Sequence, residues 1–373
     1  TLSVKILFGI KIKVKRDVFN SIYGPVVKND KGYFAFDLGV LHDLRAPEQW
    51  YRMNKATSWS AFIEALSMVA IPGFNIVYAD KASNIYYLGN AKIPIRNPKF
   101  DWQGTLPGNT AETLLSKYHT LEDLPQVLNP KSGFVFNTNN SAFSCTDSLN
   151  NPDPNLYDKT MGYRVFENNR STRFLQLMKE QNKVSWEEFL AIKYDGQLPE
   201  EFRYPIDMNR LFQLPVGKYP KYAELLAIIQ SWDRKSGYDN IGAAQFVILY
   251  NYLKETYNTS YLDSVKVLTD YEVVDALAHT YDYLKKHFKR VDIHLGDYQL
   301  LIRGDKQIPV SGIPDVITAM YSEPFKHGRV KAVQGESYIM LVRYPEKGLP
   351  IIETINAYGA SNQSDSPHYD DQM

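Results

Sequence analysis

Short apolar runs separated by turn residues dominate the first 145 residues. Ile10-Lys11-Ile12-Lys13-Val14-Lys15 alternates apolar and charged positions, which predicts a strand with one solvated face. Asp80-Lys81-Ala82-Ser83-Asn84 predicts the turn of a hairpin over residues 76–88, although it contains no Gly to supply the positive φ that short hairpin turns favour. Further strands are predicted at residues 33–36, 74–79, 84–88 and 134–136.

One helix interrupts these strands. Between residues 46 and 69, apolar side chains recur at roughly helical spacing, which predicts a single continuous helix over that range. The residues that carry the pattern are Trp50, Met53, Trp59, Phe62, Ile63 and Leu66.

The pattern is helical from about residue 163 to residue 290 and returns to strands afterwards. Apolar positions spaced by 3.6 residues predict helices at residues 164–181, 186–192, 219–232, 241–254 and 271–286. Strands are predicted at residues 298–302, 337–344 and 351–357. We therefore expect an α+β protein with a sheet region at 1–160, a helical insertion at 161–290 and return strands of the sheet region at 291–373.

Composition is that of a globular protein and excludes several functional classes. Of the 373 residues, 44% are hydrophobic and 23% are charged, and the 42 basic residues equal the 42 acidic ones. Because the chain has no net field that would recruit nucleic acid or an anionic membrane, we predict neither as a partner. Cys145 is the single cysteine, which excludes an intramolecular disulfide and a multi-cysteine metal cluster.

The sequence also predicts no membrane span, cleavable signal or metal motif. The longest apolar region, residues 62–74, is interrupted by Glu64 and by Pro72-Gly73. The first 16 residues carry lysines among their apolar positions and lack a small-residue cleavage site. The seven histidines form no pair with the spacing of a zinc motif, so the residues themselves indicate no metal.

Paired carboxamides follow the apolar run Gly133-Phe134-Val135-Phe136. Residues 137–140, Asn137-Thr138-Asn139-Asn140, are called the asparagine loop below. A buried amide without partners costs roughly 1–3 kcal/mol, so such amides either form a turn or have a function. Asn is a common turn residue, and the pattern alone leaves both interpretations open.

The order of short motifs along the chain indicates a family. Each motif alone is a weak signal, whereas the ordered series is specific. It comprises Ser21-Ile22-Tyr23-Gly24-Pro25, Gln49-Trp50-Tyr51, Asn75-Ile76-Val77-Tyr78-Ala79-Asp80, Asp101-Trp102-Gln103-Gly104, Asn129-Pro130-Lys131-Ser132-Gly133, the asparagine loop, Arg170-Ser171-Thr172-Arg173-Phe174 and the terminal Ser366-Pro367-His368-Tyr369. From about residue 12 to the end, the series resembles the nucleophile-bearing subunit of the penicillin acylase family of N-terminal nucleophile hydrolases. It is similar in particular to the branch of the acyl-homoserine-lactone acylases.

The resemblance implies a fold and an activity. The fold would be the four-layered αββα sandwich of these hydrolases, with a helical insertion and without its first strands. The activity would be removal of an acyl chain from an amide such as an acyl-homoserine lactone or a β-lactam side chain. By the resemblance, the nucleophilic Ser and a backbone oxyanion donor precede residue 1. Thr1 is an alternative nucleophile, but the sequence after it does not resemble the acylase start.

Two polar residues match the family's catalytic positions. In the asparagine loop, the resemblance places the oxyanion donor at Asn139, with Asn137 and Asn140 holding it in place. Asn suits this role because its NH₂ donates without adding charge. Arg170 matches an arginine near the mouth of the site, where a permanent cation would orient active-site amides or substrate. Without the family, Arg170 would be interpreted as a solvated arginine at a helix start.

Two aromatic residues match an acyl pocket. Trp50 and Phe74 fall at positions that, in the acyl-homoserine-lactone acylases, line an apolar slot for the fatty chain. Packing in the hydrophobic core is the alternative for both rings. Gly73 stands where that branch can carry a bulky aromatic, which implies a wider pocket.

Partners and location also follow from the resemblance. We expect a small acyl amide substrate, a missing N-terminal part of the same subunit and the smaller family subunit. No cofactor is expected, although the family allows a structural calcium ion. The location would be periplasmic or secreted. The functional alternative is an inactive, acylase-like remnant that binds apolar ligands.

Overall fold

A computed structural model describes residues 2–5, 11–15, 17–179, 181, 183–259 and 264–373. The chain forms two compact units, Thr1–Val165 and Phe166–Met373. The three-part division at residues 160 and 290 stays a prediction. Ile10, the first residue of the predicted alternating strand, lies outside the described residues, and the strand is found at Lys11–Val14.

The first unit combines small antiparallel sheets with two helices. The helices are α1 (Ala46–Lys55) and α2 (Trp59–Leu66). The strands are β1 (Leu2–Lys5), β2 (Lys11–Val14), β3 (Phe19–Ser21), β4 (Gly24–Asn29), β5 (Gly32–Ala35), β6 (Gly73–Ala79), β7 (Ile85–Ala91) and β8 (Gln126–Leu128). β1 pairs with β2, β4 lies between β3 and β5 in a second sheet, and β7 lies between β6 and β8 in a third.

The hairpin of β6 and β7 confirms the prediction for residues 76–88. The strands pair in register from Gly73 opposite Ala91 to Ala79 opposite Ile85. The turn needs no Gly, because Ser83 adopts the positive φ of 67°. Asp80 closes it by accepting from the backbone N–H of Asn84 at 3.0 Å, as short polar side chains commonly do in turns.

Two predicted elements of this unit are wrong. The helix over residues 46–69 is two helices, because Ser58 is extended and caps α2 by accepting from the Ala61 N–H at 3.3 Å. Val69, with φ 43°, cannot continue α2. Residues 134–136 form no strand. The Phe136 N–H donates to Cys145 O at 2.9 Å, so this backbone is satisfied by a loop rather than by a strand ladder.

The core of the first unit lies between the α1–α2 pair and the β6–β7–β8 sheet. Apolar residues of the second helix contact the inward face of the hairpin, as expected for an amphipathic helix on a sheet. The buried members include Leu66, Tyr86, Leu88, Leu121 and Leu124.

The second unit is helical first and strand-rich afterwards, as the pattern predicts. Its helices are α3 (Asn169–Lys179), α4 (Trp186–Lys193), α5 (Ala223–Ser231), α6 (Ala243–Tyr257), α7 (Asp270–Phe288) and α8 (Leu295–Tyr298). Its strands are β9 (Gln299–Arg303), β10 (Lys306–Pro309), β11 (Tyr321–Pro324), β12 (Val330–Gln334), β13 (Tyr338–Arg343) and β14 (Ile351–Asn356).

The helix α6 is the centre of this unit's core. Nine of its residues are buried, so its apolar surface is nearly continuous around the helix rather than one stripe. It packs against α5 and α7, and its Phe246 and Tyr250 are in contact with Tyr204 from the preceding loop. Strand order in the four-stranded sheet is β10-β9-β12-β11, and β13 pairs with β14.

Within the part of the chain that the structure describes, no helix has the length and hydropathy needed to cross a bilayer.

Candidate active site

The asparagine loop is a turn stabilised by its own side chains. Asn137 accepts at Oδ1 from the Asn139 N–H at 3.0 Å, which is the hydrogen bond of an Asx turn. Asn139 has φ 61°, a left-handed conformation that Asn tolerates better than most residues. The turn interpretation of the sequence is therefore confirmed, and the catalytic role of Asn139 stays a prediction.

Asn140 anchors the loop to the rest of the unit. It is 5% exposed, and its Oδ1 accepts from the Thr138 N–H at 2.8 Å and from Thr138 Oγ1 at 3.0 Å. Its Nδ2 donates to Ser144 O. Asn139, by contrast, is exposed. A buried neighbour thus fixes a backbone that presents an accessible amide.

One donor of the loop is unsatisfied. Asn137 Nδ2 is buried and has no hydrogen-bond partner among the described residues. Leaving such a group unpaired costs about 1–3 kcal/mol, and unsatisfied groups in folded proteins are concentrated where function constrains the structure. Among the described residues, the asparagine loop therefore keeps one buried donor unpaired beside the Asx turn.

Arg170 is the second residue of α3 and is ion-paired. Its Nε donates to Asp315 Oδ1 at 3.0 Å, and its side chain is 21% exposed. Asp315 is 2% exposed, and its Oδ2 accepts from the N–H and the Nδ2 of Asn169 at 2.9 and 2.8 Å. The interpretation of Arg170 as a solvated arginine is therefore wrong.

Asp315 is the residue of this cluster that sequence reasoning missed. It lies 145 residues after Arg170, in a turn with φ 67°, and no spacing in the chain connects the two. Its carboxylate sits at the first turn of α3, where the helix dipole favours negative charge. Burial of the Tyr204 phenol is the main reason why its pKa lies well above its usual range, and the nearby negative charge of Asp315 is the second.

Trp50 and Phe74 contact each other at the surface of the first unit. Their ring centroids are 5.4 Å apart at an interplanar angle of 62°. Trp50 is 44% exposed and Phe74 is 55% exposed, so neither ring belongs to the hydrophobic core. A Cβ at the neighbouring Gly73 would meet nothing within 4 Å. Whether this aromatic pair binds an acyl chain stays a prediction.

The predicted site residues are divided between the two units. Trp50, Phe74 and Asn139 belong to the first unit, and Arg170 belongs to the second. Of these four, the structure brings Trp50 and Phe74 into ring contact. Thr1, the alternative nucleophile, lies outside the described residues.

The single thiol is not a second candidate nucleophile. Cys145 is fully buried, and burial raises the pKa of its thiol to about 12. Because the thiolate is the reactive form, this cysteine is inert at neutral pH.

The structural calcium ion that the family allows stays a prediction. Among the described residues, no three His, Cys, Asp or Glu side chains are placed to hold a metal ion. Near the asparagine loop, the carboxylate of Asp147 is already occupied by the N–H of Asn150 at 3.1 Å and by its Nδ2. No step of the chemistry below is assigned to a metal.

Comparisons with known proteins agree on one family. Residues 4–373 match the family described as penicillin amidase. The acyl-homoserine lactone acylase PvdQ of Pseudomonas savastanoi pv. phaseolicola is 24% identical over 96% of this chain and 52% of its own length. That of Pseudomonas syringae pv. syringae is 24% identical over 100% of this chain and 53% of its own length. The chain thus spans about half the length of these curated relatives.

A solved structure gives the fold. A thermostable penicillin G acylase from Alcaligenes faecalis superposes with a TM-score of 0.62 over 100% of this chain and 75% of that chain, at 16% identity. This similarity confirms the predicted fold class, that of the penicillin acylase-type N-terminal nucleophile hydrolases. From the match that runs along almost its whole length, the chain belongs to the penicillin amidase family.

Proposed function

We propose that this chain is the part of an amide hydrolase that stabilises the oxyanion and binds the acyl group. The substrate is an acyl amide, such as an acyl-homoserine lactone or an amide-linked β-lactam side chain. The observation that carries the proposal is the asparagine loop, in which Asn137 and Asn140 hold Asn139 in a left-handed turn with its side chain at the surface.

The proposed nucleophile is an N-terminal Ser on a segment outside residues 1–373. Its own α-amine acts as the general base, takes the hydroxyl proton and later delivers it to the leaving amine. Attack of its Oγ on the amide carbon moves an electron pair onto the carbonyl oxygen and forms an oxyanion; return of that pair breaks the C–N bond and releases the amine, and water then cleaves the acyl ester to regenerate the Ser. Nδ2 of Asn139 donates to that oxyanion, and a preorganised donor of this kind contributes about 2.7–4 kcal/mol to the transition state.

Arg170 is proposed to act by orientation. Its guanidinium is held through Nε by Asp315 at 3.0 Å. A guanidinium anchored in this way presents its donors in a fixed plane. They would orient an active-site amide or a polar group of the substrate.

Trp50 and Phe74 are proposed to bind the acyl chain. Each methylene that moves from water to an apolar surface contributes about 0.8 kcal/mol, so chain length becomes the main variable of specificity. The open space at Gly73 supports a wide acyl site beside these rings.

The proposed enzyme is completed by other polypeptide segments. These are the N-terminal part of the same subunit and the smaller subunit of the family, which self-cleavage of a precursor would release. A periplasmic or secreted location is proposed with them. The alternative is a protein that binds apolar ligands without hydrolysis, and the half-exposed aromatic pair is the observation that favours it.

Mass spectrometry of the full-length gene product, combined with an assay on acyl amides, tests the proposal. We expect a precursor that splits to expose an N-terminal Ser, and release of free amine from at least one of three substrate classes: acyl-homoserine lactones, phenylacetyl amides and glutaryl amides. A single unprocessed chain that binds fatty acids but hydrolyses none of these amides would establish the binding protein instead.

A further inference from the structure

Gln49, the residue before Trp50, has a buried side chain that binds two backbone N–H groups. It is 0% exposed, although it lies in α1 next to the half-exposed Trp50. Its Oε1 accepts from two consecutive backbone N–H groups, that of Ala70 at 2.7 Å and that of Ile71 at 3.0 Å. One side-chain oxygen therefore binds the helix that carries Trp50 to the segment that leads into β6.

A second carboxamide holds the same segment from the other side. Asn90 in β7 is 4% exposed, and its Nδ2 donates to Ile71 O at 3.3 Å. In the strand register, Asn90 lies directly opposite Phe74. Both backbone polar groups of Ile71 are thus bound by buried side-chain amides, one from α1 and one from β7.

The held segment is joined to Phe74 by a short link. Pro72 and Gly73 are the two residues between Ile71 and Phe74. The ring of Pro72 restricts its φ, and Pro72 O accepts from the Lys92 N–H at 3.3 Å. The position of the Ile71 backbone therefore determines where the backbone of Phe74 lies. Gln49 in turn determines where Ile71 lies relative to Trp50.

This arrangement leaves two buried polar atoms unsatisfied. Nε2 of Gln49 and Oδ1 of Asn90 have no hydrogen-bond partner among the described residues. A methionine or leucine would avoid these two unpaired atoms, but at position 49 it would leave the N–H groups of Ala70 and Ile71 without an acceptor. Amides at both positions therefore indicate that the position of the Ile71 backbone is under constraint.

We infer that Gln49 is a positioning residue that sets the contact between Trp50 and Phe74, and through it the acyl-chain preference of the enzyme. Because Gln49 is 0% exposed, its effect on a substrate passes through the residues that it holds. It acts through the ring pair, whose centroids it holds 5.4 Å apart. The consequence for acyl preference rests on the proposed function, whereas the positioning of the rings does not.

The ring contact is tested by fluorine NMR on the full-length gene product labelled with 5-fluorotryptophan. The chain has five tryptophans, and the signal of Trp50 is the one lost in Trp50→Phe. Phe74→Ala should move this signal because the ring current of Phe74 disappears. Gln49→Met, which keeps the volume but removes the acceptor, should move it in the same direction.

Matched variants separate positioning from general damage. Gln49→Glu keeps an oxygen where the two N–H groups donate, and should leave the Trp50 signal close to that of the wild type. Gln176→Met makes the same substitution at an exposed position of α3 and should change nothing. The other tryptophan signals show whether each variant is folded. If Gln49→Met does not fold, Gln49→Asn, whose oxygen lies one methylene further back, takes its place.

The second measurement is the ratio of kcat/KM for a long and a short acyl amide. One methylene of lost burial corresponds to about fourfold in kcat/KM, so the ratio should fall by at least about fourfold in Gln49→Met and stay constant in Gln176→Met. A Trp50 signal that is unmoved in Gln49→Met, or unmoved in Phe74→Ala, overturns the inference. If the wild type cleaves no acyl amide, the proposed function fails, and the fluorine signals still decide whether Gln49 positions the rings.

Discussion

Arg170 and Asp315 are 145 residues apart in the chain and are joined by a hydrogen bond of 3.0 Å from Nε to Oδ1. The carboxylate is buried and also receives both donors of Asn169. Asp315 therefore fixes the start of α3 and the direction of the Arg170 guanidinium together. A similar ion pair, Arg173 with Asp195, lies one turn further along the same helix.

Breaking the ion pair between Arg170 and Asp315 should affect both stability and catalysis. Asp315→Asn should destabilise the protein by roughly 3–5 kcal/mol, because it leaves a largely buried charge without its partner. It should also lower kcat, since Arg170 loses its orientation. Urea unfolding and steady-state kinetics on the full-length enzyme measure the two effects.

Asp195→Asn is the control for Asp315→Asn. Arg173 donates to Asp195 from Nε at 3.0 Å and from Nη2 at 2.8 Å, with side-chain exposures of 19% and 14%. Asp195→Asn should lower the free energy of unfolding and leave kcat unchanged. Equal losses of kcat in both variants would show that Arg170 has no special role.

Removing the amide of Asn139 should affect turnover rather than folding. Asn139→Gly keeps the left-handed backbone accessible and deletes the donor, so kcat should fall by about 100- to 1,000-fold. The matched control is Asn258→Gly, since Asn258 is also left-handed, with φ 46°, and ends α6. An unchanged kcat in Asn139→Gly would remove Asn139 from the oxyanion site.

Filling the space at Gly73 should shorten the preferred acyl chain. A side chain there meets no atom within 4 Å of its Cβ, and Gly73 is not held at a positive φ. Gly73→Phe should therefore fold normally while taking volume beside Trp50 and Phe74. The expected result is a fall in kcat/KM of about fourfold for each acyl methylene that the new ring displaces.

Gly217→Phe is the control for this substitution. Gly217 also faces open space without a positive φ, but it lies in the second unit. Its acyl-length profile should match that of the wild type. An identical profile for Gly73→Phe would separate Gly73 from the acyl site.

The thiol of Cys145 should report unfolding. Cys145 is 0% exposed, so its thiol reaches solvent only when the first unit unfolds. In the folded protein, burial raises the pKa of this thiol to about 12. Between pH 7 and 9, the native protein should react with a thiol reagent far more slowly than the urea-unfolded protein, because the native thiol is both inaccessible and protonated. Equal rates in the two states would contradict the buried position of Cys145.

The start of α7 should lose stability in acid. Glu272 receives the Lys266 ammonium at 2.8 Å and the Thr269 N–H at 2.7 Å, and these bonds, with that from Lys266 the largest cause, lower its pKa from 4.5 to about 2. A carboxyl whose pKa is lower in the folded state stabilises that state above the unfolded value of 4.5. The stabilisation is lost as the pH falls from there towards about 2.

Glu272→Gln should therefore flatten the dependence of the urea midpoint on pH between 5 and 2. Glu224→Gln, in the first turn of α5, is the control and should follow the wild-type curve. A wild-type curve for Glu272→Gln would mean that the capping contacts of α7 do not contribute in solution.

Local patterns predicted the elements, and their errors have local causes. The β6–β7 hairpin was predictable because alternation along a strand is a property of neighbouring residues. The helix over residues 46–69 was not, since apolar spacing continues across the cap at Ser58 and conceals the break. At residues 134–136, an apolar run resembles a strand until its backbone partner, Cys145 O, is known.

The amino-acid sequence alone was sufficient for the family, the fold class and the α+β order of elements, because these depend on ordered motifs and on short-range periodicity. The tertiary structure decided three things: the left-handed turn of Asn139, the buried carboxylate of Asp315 beneath Arg170, and the anchoring of Ile71 by Gln49. The last two contacts join residues that are distant along the chain, and hydrogen bonding between such residues leaves no periodic signal. Such partners can be identified only from the folded structure, in which each buried polar group needs a hydrogen-bond partner.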